Sequence, residues 1–178
     1  MKKISTAKPL GVDLAQEALD PTLGPRPVLR QKFYLHPGKI FATAEPTAVT
    51  TILGSCVAVC LWDPMVATGG VAHFVLPRGA GDQASALRFG SVAVPELVQR
   101  LINLGCKIDR LRAKLFGGAC VMAAFQRGSG QLGLDNAESA RALLAAAGIP
   151  VLAEDLGGRR GRKLIFQVDD GAAWVKFV

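Results

Sequence analysis

The sequence predicts an α+β fold, a layered β-sheet or sandwich domain with two main helices packed on it. Three observations carry this expectation. Short apolar, β-branched runs bounded by Gly, Pro, Asp and Asn recur along the chain and read as strands. Only two stretches space their apolar residues with a helical period. The size fits one domain with a substantial core, since half of the 178 residues are hydrophobic.

The elements follow in order. Residues 1–30, interrupted by Pro9, Pro21, Pro25 and Pro27, are expected to be a disordered N-terminal tail whose helix-like patch, residues 12–19, is too short to stand alone. Residues 31–178 then form the single domain. Residues 32–35 and 39–44 read as strands around the turn His36-Pro37-Gly38, with His36 a turn residue. Residues 48–53 are a third strand. The runs 56–61 (CVAVCL) and 69–76 (GGVAHFVL), joined through Asp63-Pro64, read as a hairpin. A loop at 78–83 leads to a helix within 85–104, with Val94, Leu97, Val98, Leu101 and Leu104 on one face. Pro95 either follows closely on its start or kinks it, and Gly105 closes it. A strand at 110–116 runs into Gly117-Gly118. The second helix is expected at 136–147, capped by Asp135 or Asn136 and ended by Gly148. Three strands, 150–155, 163–168 and 172–178, finish the chain.

The chemistry concentrates between Thr50 and His73. A thiol is a useful nucleophile only when its proton is taken or its pKa lowered, and imidazole is the usual partner. Cys56 follows a Gly-Ser pair, and His73 is one of two histidines in the chain. If Trp62 lies opposite Gly69 in the hairpin, Cys56 falls opposite Val75 and diagonal to His73, on the same face. A one-residue slip would separate them. The candidate Cys and His therefore sit on or beside a β-hairpin. Cys60, Cys106 and Cys120 read as small core residues.

The run TTILGSCVAVCLWDP followed by GGVAHFVLP resembles the signature of the CheD family, the chemoreceptor glutamine deamidases of bacterial chemotaxis. Similar stretches continue in AKLFGGACVM, around residues 136–138, and in AEDLGGRRGRKLIF, so the resemblance covers roughly residues 33–178. It implies a cysteine-nucleophile hydrolase that converts glutamine side chains of methyl-accepting chemotaxis receptors to glutamate and ammonia, without a cofactor or a metal. Its catalytic group, a Cys, a His seventeen residues later and a Thr six residues earlier, falls on Cys56, His73 and Thr50. Thr50 would orient the imidazole. Ser55, Gly117, Gly118 and Arg162 are implied to line the substrate cleft, and Arg162 also to hold structure. A CheC-type phosphatase is an implied partner. The family segment Ile-Gly-x-Arg-Asn reads Leu132-Gly133-Leu134-Asp135-Asn136 here, with Asp135 in place of the arginine.

Other function classes fare worse. A net charge of +7 and the cluster Arg159-Arg160-Gly161-Arg162-Lys163 suggest phosphate contacts, but only 6% of residues are aromatic and none stands in the cluster. Single-stranded nucleic acid is usually gripped by stacking as well as charge, so no nucleic-acid partner is expected. Gly128-Ser129-Gly130-Gln131-Leu132-Gly133 fits G-x-G-x-x-G, yet no buried strand runs into its first glycine; it reads as a connecting loop. No apolar run reaches the roughly 20 residues of a membrane span, and the N-terminus lacks a signal-type apolar segment. A cytoplasmic location without membrane insertion is expected. Two rivals remain open on sequence: a binding module of the chemotaxis adaptation system, and a protease- or transglutaminase-like use of the same Cys and His.

Overall fold

The computed structural model describes residues 1–4, 28–79, 82, 85–120 and 130–178, with backbone only at 130 and 131. The strands are β1 (Lys2–Ile4), β2 (Gln31–Tyr34), β3 (Lys39–Thr43), β4 (Thr47–Leu53), β5 (Val57–Asp63), β6 (Thr68–Phe74), β7 (Arg112–Gly117), β8 (Val151–Leu156), β9 (Arg162–Gln167) and β10 (Ala173–Phe177). The helices are α1 (Gly90–Asn103) and α2 (Gly130–Ala146). One five-stranded sheet has the order β1-β10-β9-β4-β2, and a second the order β3-β6-β5-β7-β8. All pairs are antiparallel except β2 with β4 and β7 with β8.

The layers follow from the alternation of side chains along the strands. In β5, Val57, Val59 and Leu61 join Leu97 and Leu101 of α1 and Leu144 of α2 in one core. Ala58, Cys60 and Trp62 face the other way and meet Val49, Leu53, Leu164 and Phe166 of the first sheet. The second sheet is thus the middle of three layers, and β5 and β6 are buried at every residue. That is why both read as unbroken apolar runs instead of alternating ones. Among the described residues, the first sheet is covered on its inner side. In β4, Thr47, Val49, Thr51 and Leu53 are buried, whereas Ala48 and Thr50 are half-buried and Ile52 is exposed.

Both helices end as glycine-closed turns. Gly105 and Cys106 donate to the Ile102 and Leu101 carbonyls, and Gly148 and Ile149 to those of Ala145 and Leu144. α1 starts at Gly90 and carries Pro95 within its length. One expectation needs correction. α2 starts at Gly130, so Asp135 and Asn136 lie inside the helix and do not cap it. A propensity reading treats the glycines as loop, but one of them is required by packing: a Cβ on Gly133 would stand 2.5 Å from the Gly118 carbonyl. Lys2–Ile4 pairs with β10 as a sheet edge, and Arg30 is salt-bridged to Asp169 and Asp170. Residues 5–27, including the helix-like patch, lie outside the described residues, as do Gly128 and Ser129.

Candidate active site

The hairpin has the register that brings the candidate pair together. Trp62 pairs with Gly69, Ala58 with His73 and Val57 with Phe74. Cys56, one residue before β5, is therefore opposite Val75 and diagonal to His73, and it packs against the core between the sheets, the side on which Ala58 and Cys60 lie. His73 is fully buried.

The threonine at the imidazole is Thr51. Its Oγ1 lies 2.8 Å from His73 Nδ1, and its hydroxyl donates to the Leu35 carbonyl, also at 2.8 Å. Thr50, the residue selected by family spacing, cannot take this place: neighbours on a strand point to opposite faces, and β4 turns its odd-numbered residues inward. Thr50 sits in the outer register instead, across from Tyr34 and Ile165.

Counting protons fixes the histidine tautomer. A hydroxyl has one proton, and Thr51 gives it to a carbonyl that can only accept. Thr51 Oγ1 must then accept from His73, so Nδ1 carries the hydrogen. Nε2 is left with its lone pair, buried and without a hydrogen-bond partner among the described residues. This is the form a general base requires. Burial pulls the His73 pKa down to about 4, opposed in part by the Leu35 carbonyl. At pH 7 the protonated ring is then about one part in a thousand. Burial also pushes the Cys56 thiol up, while its own backbone N–H and the Arg88 guanidinium act to lower it. The resting pair is thiol and neutral imidazole, so proton transfer has to accompany attack by sulfur.

The loop that carries Cys56 is held at each of its carbonyls. Ala119 N donates to Gly54 O and Gly118 N to Cys56 O, both at 2.8 Å, while Asn136 Nδ2 donates to Ser55 O at 3.0 Å. Gly117 and Gly118 have φ of +112° and +66°, and a Cβ on Gly117 would stand 2.2 Å from Cys56 O. These glycines let the backbone after β7 close upon the Cys56 loop. Ser55 is half-buried in that loop.

Arg162 does not join the pair. It is buried, pairs in register with Leu53, and directs its guanidinium to the Asp155 carboxylate and to the Asp155 and Gly157 carbonyls. It braces the strand end from which the Cys56 loop departs. A separate pocket of about 270 Å³ lies beyond Gly118, lined by Cys120, Leu134, Ala137, Arg141 and Gly157 among others.

Three participants escaped the sequence reading. Thr51 is the neighbour of the chosen threonine, and the inward positions Val49 and Leu53 were the available signal. Asn136 stood in the recognised family segment and was read as a helix cap, not as part of the site. The Leu35 carbonyl is backbone and left no sequence signal.

The sequence model of CheD chemotactic sensory transduction matches residues 75–177. The chain belongs to the CheD family. It is 56% identical over 147 residues to "Probable chemoreceptor glutamine deamidase CheD 1" of Anaeromyxobacter dehalogenans (strain 2CP-C), covering 83% of this chain and 85% of that one. It is 46% identical to "Probable chemoreceptor glutamine deamidase CheD" of Acidiphilium cryptum (strain JF-5), over 72% and 68% of the two chains. With the CheD protein of the same description from Trichlorobacter lovleyi (strain ATCC BAA-1151 / DSM 17278 / SZ) it shares 40% identity, over 79% and 87%. Among solved structures, the Bacillus licheniformis hypothetical protein YfiH compares with a TM-score of 0.43 at 19% identity, over 65% of this chain and 49% of that one. The segment matched by the CheD model starts two residues after His73, so the candidate pair lies just ahead of it.

Proposed function

We propose that this CheD-family chain is a protein-glutamine deamidase: it hydrolyses glutamine side chains of chemotaxis receptors to glutamate and ammonia, with Cys56 as nucleophile and His73 as base. The observation that carries the reading is the free Nε2 of a histidine held in one tautomer by Thr51, on the face of the hairpin where Cys56 lies. The names of the CheD relatives supply the substrate class.

The thiol proton passes to Nε2 as sulfur bonds to the carboxamide carbon. The resulting oxyanion needs backbone N–H donors. The C–N bond breaks as His73 returns the proton to nitrogen, and ammonia departs from a thioester. A water then loses a proton to Nε2 and bonds to the acyl carbon, and the C–S bond breaks to regenerate the thiol and leave glutamate. Thr51 keeps the ring in place throughout, the part an Asn or Asp plays in other cysteine triads. No step calls for a cofactor or metal. No helix among the described residues is long and apolar enough to cross a membrane, and a cytoplasmic enzyme with receptors, and a CheC-type phosphatase, as partners fits this reading.

The test is incubation of the full chain with a receptor cytoplasmic fragment, followed by ammonia measurement and mass spectrometry of the peptides. Ammonia release with the small mass gain of Gln to Glu, and an intact receptor backbone, is expected. Backbone cleavage or amine incorporation would point to protease or transglutaminase chemistry, and binding without any product to a docking module. Cys56→Ala should abolish release while Cys60→Ala, buried in the core, retains it; the reverse result would move the nucleophile to Cys60.

A further inference from the structure

Asn136 is fully buried on α2, and among the described residues its carboxamide bonds to backbone and to no other side chain. Nδ2 donates to two backbone carbonyls, Ser55 O at 3.0 Å and Val75 O at 2.9 Å. Because both partners only accept, the orientation of the amide is fixed. Oδ1 has no partner among the described residues.

The two carbonyls flank the chemistry. Ser55 immediately precedes Cys56, and Val75 is its opposite number one step beyond the last pair of the hairpin. One side chain thus continues the hairpin clamp past the point where the ladder stops. Its second effect concerns the Ser55–Cys56 peptide. In a trans peptide the C=O and N–H point in opposite directions across one rigid plane, and the structure has no cis bonds. Holding Ser55 O toward α2 aims the Cys56 N–H away from α2. That N–H faces the Cys56 sulfur, where it favours the thiolate.

We infer that Asn136 is the positioning residue for the oxyanion site: by anchoring the Ser55 carbonyl it aims the Cys56 backbone N–H at the oxygen that becomes negative when sulfur attacks the substrate carboxamide. The inference rests on the deamidase reading above. It assigns the donor to the nucleophile's own amide, and its orientation to a residue on a different element.

Two reactions of the same sulfur separate this role from a purely structural one. Deamidation of a receptor fragment builds an oxyanion. Alkylation of Cys56 by iodoacetamide displaces iodide at a saturated carbon and builds none, so it reads only the thiol and His73. Asn136→Ala and the similarly shaped Asn136→Leu should lower kcat for deamidation about a hundredfold, the cost of misplacing a reacting group by around 1 Å, with KM changed little. The rate of Cys56 alkylation should fall by no more than about threefold, with its pH profile moved slightly upward because the same N–H also favours the thiolate, whereas the oxyanion step loses its donor. Ser139→Ala, which removes a bond from the same helix to the Pro77 carbonyl, should leave kcat unchanged. The inference is overturned by normal deamidation in the Asn136 variants, by an equal fall in alkylation, by a similar fall in Ser139→Ala, or by loss of near-ultraviolet circular dichroism in both Asn136 variants. Absence of ammonia release from the wild-type chain would instead strike the deamidase reading.

Discussion

Thr51→Val removes one oxygen from the centre of the candidate site while keeping the β-branched shape that β4 needs at this position. Two hydrogen bonds of 2.8 Å go with it, to His73 Nδ1 and to the Leu35 carbonyl. The net worth of a neutral hydrogen bond is about 1 kcal/mol, and a buried group left unpaired costs roughly 1–3 kcal/mol. The site has a partial fallback, because the Leu35 carbonyl also faces the imidazole and can accept from Nδ1 directly. That contact preserves the tautomer but not the position of the ring. The expected loss of stability is therefore about 1–2 kcal/mol, read as a fall in Tm of roughly 2–8 °C for a domain of this size. The rate should fall by roughly tenfold to a hundredfold, or about 1.4–2.7 kcal/mol in the barrier, and the fall should lie in kcat. Thr51→Ser, which keeps the hydroxyl, should recover most of the rate. Thr50→Val, on the outer face, should be near neutral. Ammonia release from a receptor fragment and thermal melts decide it: a slow Thr50→Val beside a normal Thr51→Val would mean that Thr51 does not hold the base.

The acid limb of kcat/KM for deamidation should lie near pH 4 and not near 6.5, since burial holds His73 neutral down to about 4; a limb at 6.5 or above would refute this. The same shift governs stability. The unfolded chain binds the His73 proton below about 6.5 and the folded chain only below about 4, so the stability contribution is full above 6.5 and is lost as pH falls through that window, by about 3 kcal/mol for one such group; urea midpoints of wild type and His73→Gln across pH 7 to 4 should converge accordingly. Arg162→Ala removes a 1%-exposed guanidinium, leaves the Asp155 carboxylate and two carbonyls without it, and should cost roughly 3–5 kcal/mol. Arg141→Ala, whose bridge to Glu154 is about 44% exposed, should cost under about 1 kcal/mol; equal urea midpoints for the two variants would show that Arg162 is not the buried brace described.

What was legible follows the range of the forces involved. The hairpin register could be read because Asp63-Pro64 and Gly69-Gly70 bracket one turn and every apolar residue on either side agrees with it. Strand positions along the chain agree with the sequence reading to within one or two residues in most cases, since apolar runs and glycine-proline punctuation are local. The choice between Thr50 and Thr51 was not local. The even face of β4 carries Ala48, Thr50 and Ile52 and the odd face Thr47, Val49, Thr51 and Leu53, so each face offers a threonine among apolar neighbours, and only the docking of the second sheet makes the odd face the inner one. The start of α2 was hidden for a related reason: its glycines look like loop until Gly133 is seen against Gly118. Asn136 was misplaced with that helix, as a cap, when it belongs to the site. A hydroxyl-to-carbonyl contact such as Thr51 with Leu35 depends on a parallel pairing of β2 with β4 that no periodicity reports.

The strand order also sets which parts of the chain must meet before the candidate site is complete. β4, which supplies Thr51, lies between β2 and β9, and β9 is closed in turn by β10. The partners of residues 47–53 thus include residues 162–167, and those pair with residues 173–177. Pairings across such separations are slow to form and come after local ones. A chain in which β9 and β10 have yet to dock carries Cys56 and His73 on their hairpin already, but not the sheet that holds Thr51 against the imidazole. Completion of the candidate site is thus tied to the long-range pairings of the fold, and a partly folded chain presents the thiol and the imidazole without the threonine that orders them.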